Sequence, residues 1–136
     1  MGVFLGTVVY VSKGKSEKWW PSYGHSFATR LKKIRILRGL SQEDLAELSG
    51  VARNTISNYE RNENNYGKAV DPSLTKIYSL ARALEVPPMV LLPAASVPVA
   101  DICVDESLAI DVRWPSEKDP LLFDADLRLN RSRQEP

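Results

Sequence analysis

Apolar residues recur with a helical period between residues 26 and 93, and this regularity separates the segment from the chain on either side. The first apolar stripe advances by four, three and three positions and consists of Phe27, Leu31, Ile34 and Leu37. These positions share one face of a helix, which we expect to end at Gly39.

A second helix begins at Ser41, a residue type that favours the N-cap position. Asp44 follows three positions later, so the start of this helix comes close to a capping box. Leu45 lies in the apolar part of the helix, and Gly50 ends it. After a turn at residues 50–52, the pattern predicts a third helix that runs to about residue 61.

A fourth and a short fifth helix follow a polar loop. Asp71 and Pro72 predict an N-cap with proline at the first helical position. The buried stripe of the fourth helix is expected to contain Leu74, Ile77, Leu80, Ala81 and Leu84. Residues 86–92 form a single-turn helix whose apolar side chains exceed what so short an element can bury, which predicts a dimer interface. The interface candidates are Met89, Val90, Leu91 and Leu92.

The flanks have a different pattern. Residues 99–104 and 108–114 alternate well enough to form a hairpin, and residues 3–11 could form a third strand. Periodicity does not decide whether these strands join one sheet. Residues 127–136 predict a frayed tail, with a basic arm on DNA as the alternative.

Composition indicates one ordinary globular domain with extensions, since the chain has 136 residues, of which 43% are hydrophobic and 26% charged. We divide it into an N-terminal extension (1–25), a helical domain (26–93) and an acidic C-terminal extension (94–136). Their formal charges are +2, +3 and −4. This segregation permits a polyanion as partner of the body and a protein as partner of the acidic extension.

Several kinds of site are disfavoured. The chain has no apolar run long enough for a membrane span, so we expect a cytoplasmic protein. The single Cys103 is expected to be a buried small hydrophobe, and the single His25 has no second ligand nearby, so neither a metal nor a cofactor is expected. The carboxylates of the acidic extension predict solvated faces rather than an enzyme's acid–base pair.

The third helix carries the candidate chemistry. Ile56 and Tyr59 face inward, three positions apart. The remaining face lies at relative positions 0, 1, 4, 5 and 8 and consists of Arg53, Asn54, Ser57, Asn58 and Arg61. It contains no carboxylate, whereas an ordinary solvated face mixes both charges. Arginine pairs with guanine and asparagine with adenine, while Thr55 or Ser57 can reach bases or phosphates. A solvated surface remains the alternative.

The segment LSQEDLA (40–46), followed by Gly50-Val51 and by TISNYE (55–60), resembles the lambda-repressor/Cro-like, or XRE, helix-turn-helix family. The resemblance covers about half of the chain, from Phe27 to Leu92. It implies an all-α, five-helix DNA-binding domain, to which the pattern adds short β-forming extensions. It also implies a structural pair between Arg35 and Glu60, with two independent surface charges as the alternative.

The resemblance implies that Gln42 supports the third helix and touches DNA, and that Arg53, Asn54, Thr55 and Ser57 face bases. The full set of candidate DNA-contacting residues is Ser41, Gln42, Arg53, Asn54, Thr55, Ser57, Asn58, Arg61 and Lys68. Two departures from the family stand out. Ala52 replaces the usual serine or threonine cap. The loop 62–70 is also longer than in the family's tightest versions, so which of Arg61, Asn64, Asn65 and Lys68 reach phosphate stays open.

These expectations converge on a sequence-specific transcriptional regulator, most simply a repressor that binds a palindromic operator on double-stranded DNA as a homodimer. The alternative is an antitoxin-type or protein-binding module that uses the same scaffold to bind a partner protein.

Overall fold

The computed structural model describes residues 17–103 and 123–134, and every regular element within these ranges is helical. We number the α-helices α1 (Trp19–Leu37), α2 (Gln42–Ser49), α3 (Arg53–Arg61), α4 (Leu74–Leu84) and α5 (Ala125–Gln134), with a 3₁₀ helix at Pro88–Val90 between α4 and α5. The all-α fold predicted from the sequence is confirmed, including the short helical turn after α4.

The core lies where the first four α-helices and the 3₁₀ segment meet. Its fully buried large side chains are Leu31, Ile34, Leu45, Ile56, Leu80, Leu84 and Leu91. Each contributes roughly 1.5–3 kcal/mol relative to an exposed position. This shared core fixes α3 against α1 and α2, which positions the polar face of α3 toward solvent.

α1 begins at Trp19, so the expected start of the helical domain at residue 26 is wrong. Pro21 lies in the first turn of α1, where its missing N–H would have had no intrahelical partner. The added turn is anchored to the loop after α3, because the Trp20 Nε1 group donates to the Val70 carbonyl at 2.7 Å.

α4 begins later than expected. Ser73, rather than Asp71, is the N-cap, and its hydroxyl accepts a hydrogen bond from the Lys76 amide at 3.2 Å. Leu74 is 66% exposed and therefore does not join the buried stripe, which the other four expected residues do form. The expectation of a proline at the first helical position is wrong, because Pro72 lies before the cap.

The strand expected at residues 99–104 does not form over its described part, 99–103. Instead the Tyr23 hydroxyl accepts a hydrogen bond from the Ala100 amide at 2.8 Å and donates one to the Ala100 carbonyl at 3.1 Å. Cys103 is half-buried rather than buried. The strands expected at 3–11 and 108–114 lie outside the described residues.

The frayed tail expected from residue 127 onward is wrong for its described part. This segment belongs to α5, which packs against α2. Leu129 supplies the contact and is only 7% exposed, whereas Leu127 points outward at 50%. Because Leu129 belongs to the same core cluster as α2 and α4, the helix is part of the domain.

Ion pairs hold α5 in place. Arg133 donates from Nε and a terminal nitrogen to Glu47 on α2, at 2.9 and 3.3 Å. Arg128 pairs with Glu85, which follows α4. Two of the arginines of the expected basic arm are therefore engaged with carboxylates of the domain itself.

Arg38 joins the end of α1 to the end of α4. Its buried guanidinium donates to the carbonyls of Leu84 at 2.9 Å and Glu85 at 3.1 Å, which satisfies acceptors that the end of a helix leaves unpaired. The guanidinium carbon lies 4.4 Å from the ring centroid of Phe123. This cation–π contact links the segment before α5 to the body.

Candidate nucleic-acid interface

α2 and α3 form a compact helix-turn-helix. The capping box expected at the start of α2 is present: the Asp44 amide donates to the Ser41 hydroxyl at 3.0 Å, and the Ser41 amide donates to Asp44 Oδ2 at 2.9 Å. Gly50 ends α2 in the left-handed conformation, with a φ of 75°. That conformation suits glycine and turns the chain sharply into α3.

The two faces of α3 differ completely. Ile56 and Tyr59 are buried, and the Tyr59 ring meets Phe27 of α1 edge-on with 5.6 Å between centroids. On the outward face, Arg53, Asn54 and Arg61 are exposed, while Thr55, Ser57 and Asn58 are half-buried. The six candidate residues of α3 are therefore all at least partly exposed, in contrast to the buried Ile56 and Tyr59.

α3 starts without a side-chain cap. Ala52 occupies the N-cap position with φ −58° and ψ 142°, and no side chain accepts a hydrogen bond from the first turn. The helix nevertheless begins at Arg53 as expected, because its two core residues supply the packing that the cap does not.

Arg35 and Glu60 lie in direct contact beneath α3. Arg35 Nε donates to Glu60 Oε2 at 2.7 Å, and a terminal nitrogen donates to Oε1 at 2.9 Å. The other terminal nitrogen of Arg35 donates to the Leu40 carbonyl at 2.7 Å. The hydrogen bond to Glu60 raises the pKa of Arg35, against the effect of burial. The guanidinium thus ties α1, the start of the α2 segment and the end of α3 together.

Gln42 joins this cluster. Its side-chain Nε2 donates to Glu60 Oε1 at 3.2 Å, so the glutamine that begins α2 touches the helix that follows the turn. Ser41, the N-cap residue immediately before Gln42, is exposed at the same end of α2. The structure thus brings Gln42 and Glu60 together, in the supporting position that the family resemblance implies for the glutamine.

The loop after α3 is ordered by its own hydrogen bonds. Asn58 donates to Asn65 Oδ1 at 3.0 Å and accepts from Arg61 at 2.6 Å. Farther along, the amide of Lys68 donates to Asn64 Oδ1 at 3.0 Å, and the Lys68 side chain is exposed. Arg61 at the end of α3 and Lys68 in the loop after it are therefore both exposed, and they lie in the same segment as the hydrogen-bonded side chains of Asn58 and Asn65.

Sequence reasoning placed Asn62 in the loop and missed its role. Asn62 ends α3 in the left-handed conformation, with a φ of 52°. Its side-chain Nδ2 donates to the Pro21 carbonyl at 2.9 Å, and its side-chain Oδ1 accepts from the backbone N–H of Val70 at 3.3 Å. The available signal was an asparagine directly after the last helical residue, because asparagine tolerates the left-handed helix end.

The expected dimer patch is only partly exposed. Leu91 is fully buried, so its inclusion in an exposed patch is wrong. Met89 is 57% exposed, while Val90 and Leu92 are half-buried. The Val90 carbonyl also accepts a hydrogen bond from Arg30 of α1 at 3.2 Å, which holds the 3₁₀ segment in place.

The described residues were also compared with the requirements of a membrane span and of a metal site. None of their helices combines the length and apolar character needed to cross a membrane. Within the same ranges, no three His, Cys, Asp or Glu side chains group together as metal ligands would.

Comparison with known proteins gives this geometry a family. A family model described as helix-turn-helix matches residues 31–91, which include α2, the turn and α3. Over 108 residues and 76% of its length, the chain is 34% identical to the HTH-type transcriptional regulator PrtR of Pseudomonas aeruginosa, of which it spans 40%. It is 39% identical to the restriction-modification controller protein C.AhdI of Aeromonas hydrophila, with 51% of this chain and 96% of that chain covered and a TM-score of 0.44. The chain belongs to the XRE-type helix-turn-helix family.

Proposed function

We propose that this protein is a sequence-specific DNA-binding transcriptional regulator that reads the major groove with α3. The observation that carries the proposal is the contrast between the two faces of α3. One face is buried through Ile56 and Tyr59, and the other presents side chains that pair with base edges. A helix held in this way can enter the major groove without losing its contacts to the body.

The charge of α3 favours DNA. Glu60 is the one carboxylate in the helix, and its side chain is 3% exposed in the salt bridge with Arg35. The outward face therefore carries two arginines and no free negative charge. Arg53 can donate two hydrogen bonds to guanine, and Asn54 can pair with adenine through its amide.

Phosphate contacts would flank this base-reading face. Arg61 and Lys68 are exposed at the C-terminal end of α3 and in the loop after it. Ser41 and Gln42 lie at the start of α2, where backbone N–H groups and the polar side chains can approach a phosphate. These contacts would fix the register of α3 on the duplex without reading its sequence.

The most economical form of this regulator is a cytoplasmic repressor that binds a palindromic operator as a homodimer. Two matched half-sites multiply the specificity of one small domain. The exposed side chain of Met89 supports the dimer, since a second copy could cover it. PrtR is named as a transcriptional regulator and C.AhdI as a controller protein, and we extend a regulatory role from them to this chain as part of the proposal.

Selection of bound duplexes from a random pool tests the function. The whole chain should enrich one motif with two inverted half-sites about 34–36 Å apart, and should bind it at least ~10³-fold more tightly than random DNA. Failure to enrich any motif would contradict the proposal. A stable complex with a partner protein, formed without DNA affinity, would favour the antitoxin-type alternative.

Sedimentation of the whole chain on the selected duplex tests the dimer. Two copies should occupy one palindrome, and Met89→Lys should lower the occupancy to one. Leu127→Lys is the matched control, because it places the same charge at another exposed apolar position. One copy per palindrome in the unchanged protein would contradict the dimer and leave sequence-specific binding intact.

A further inference from the structure

A cleft of about 460 Å³ lies between the end of α2, α4 and α5, outside the proposed DNA interface. Arg82 of α4 and Arg128 and Arg131 of α5 line it together. Three serines, one from each helix, complete the polar lining and are Ser49, Ser79 and Ser132. Three arginines and three serines thus line one small volume.

The positive charge of this cleft is only partly balanced by the described residues. Arg128 pairs with Glu85, whereas the described part of the chain offers no carboxylate partner to Arg82 or Arg131. Burial, together with the nearby positive charges of Arg131 and Arg82, lowers the pKa of Arg128. Like charges this close repel one another, and a bound anion would relieve that repulsion.

We propose that this cleft binds a small phosphate-bearing anion. Planar guanidinium groups match phosphate oxygens with two parallel hydrogen bonds, and serine hydroxyls can donate to the oxygens that remain. The volume lies within the range of small-molecule sites, roughly 300–1,000 Å³, so a ligand larger than one phosphate group also fits.

The proposed site is separate from the base-reading face. Its lining residues come from α2, α4 and α5, whereas the candidate base contacts lie on α3. An anion held by Arg82 and Arg131 would bridge α4 and α5. It would therefore strengthen the packing of α5 on α2, which rests on Leu129 and on the pair between Arg133 and Glu47.

Calorimetric titration of the whole chain with pyrophosphate at constant ionic strength tests the site. The unchanged protein should bind pyrophosphate, and Arg82→Gln and Arg131→Gln should each weaken binding by about tenfold or more. Both side chains are exposed, so the variants should fold. Pyrophosphate should raise the Tm of the unchanged protein more than that of either variant.

Two matched variants separate this site from other basic side chains. Lys76→Gln removes an exposed positive charge of α4 that lies outside the cleft lining, and Arg53→Ala changes the DNA face, so both should bind pyrophosphate within about twofold of the unchanged protein. Loss of binding in Arg53→Ala but not in Arg82→Gln would overturn the proposal in favour of the DNA interface. Equal weakening in all four variants, or no binding to the unchanged protein, would overturn it as well.

Discussion

The side chain of Asn62 lies directly against Gly24, so that a Cβ added to Gly24 would come within 2.1 Å of Asn62 Oδ1. The same asparagine donates to the Pro21 carbonyl at 2.9 Å, one turn earlier in α1. The C-terminal end of α3 is therefore fixed to the first turns of α1. The pair of Arg35 and Glu60 fixes α3 to α1 a second time, so α3 is held at two separate points.

Gly24→Ala should destabilise the protein, although alanine is normally the better helix residue. The added methyl would displace the Asn62 side chain and disturb its hydrogen bonds to Pro21 and Val70. Overpacking costs about 1–3 kcal/mol, more than the roughly 1 kcal/mol that alanine gains over glycine within a helix. Urea unfolding of the two proteins measures the difference.

The destabilisation by Gly24→Ala should disappear when the asparagine side chain is removed. Asn62→Gly keeps a residue that accepts the left-handed φ of 52°, and it opens the space above Gly24. In that background Gly24→Ala should be neutral or should stabilise by up to about 1 kcal/mol. The same destabilisation in both backgrounds would show that the close approach does not constrain α3.

Arg35→Met and Glu60→Gln should show strong coupling in a double-mutant cycle. The pair is bidentate and well shielded from water, and removal of either partner leaves the other without its charge partner. We expect a coupling free energy of about 1–3 kcal/mol from urea unfolding. Additivity of the single changes within about 0.3–0.5 kcal/mol would mean that the pair is not a structural link.

Ala52→Ser should stabilise the protein. The extended backbone of Ala52 already has N-cap geometry, and a serine hydroxyl could accept a hydrogen bond from the first turn of α3. The gain should be about 0.5–2 kcal/mol in the free energy of unfolding. Ser41→Ala, which removes the corresponding cap of α2, should cost a similar amount. No gain at residue 52 beside a clear loss at residue 41 would show that the start of α3 cannot use a cap.

Leu129→Ala should destabilise the whole domain, because α5 packs into the common core through this side chain. Truncation of a buried leucine costs about 2–5 kcal/mol, and we expect the lower end of that range for a residue near the edge of the core. Leu127→Ala, at an exposed position of the same helix, should change stability by less than about 0.5 kcal/mol. Equal effects would mean that α5 does not pack on the body in solution.

The sequence predicted α2 and α3 well because their ends carry local signals. Ser41 with Asp44 specifies the start of α2, and Gly50 specifies the turn, so short-range chemistry determines both helices. The buried and exposed faces of α3 also follow directly from the helical period. The candidate base contacts on α3 therefore follow from the sequence alone.

The errors arose where a distant partner decides the local structure. The first turn of α1 contains Pro21 and lies before the apolar stripe that begins at Phe27, and it is held by hydrogen bonds that Trp20 and Asn62 make across 50 and 41 residues. α5 buries a single leucine, Leu129, so it lacks an apolar stripe that would indicate a helix. Leu91 was expected in an exposed patch, whereas it belongs to the shared core cluster. The hydrophobic period shows which face of a helix is apolar. It does not show which other part of the protein packs against that face.

Fluorescence anisotropy with Arg53→Ala tests the central claim that α3 reads bases. On the selected operator, the variant should lose roughly 1–3 kcal/mol of binding free energy and relax the preference at one base pair, with little change on random DNA. Lys68→Ala should instead weaken binding to both duplexes alike, since a phosphate contact carries no sequence information. Equal losses on operator and random DNA for Arg53→Ala would contradict the base-reading role of α3.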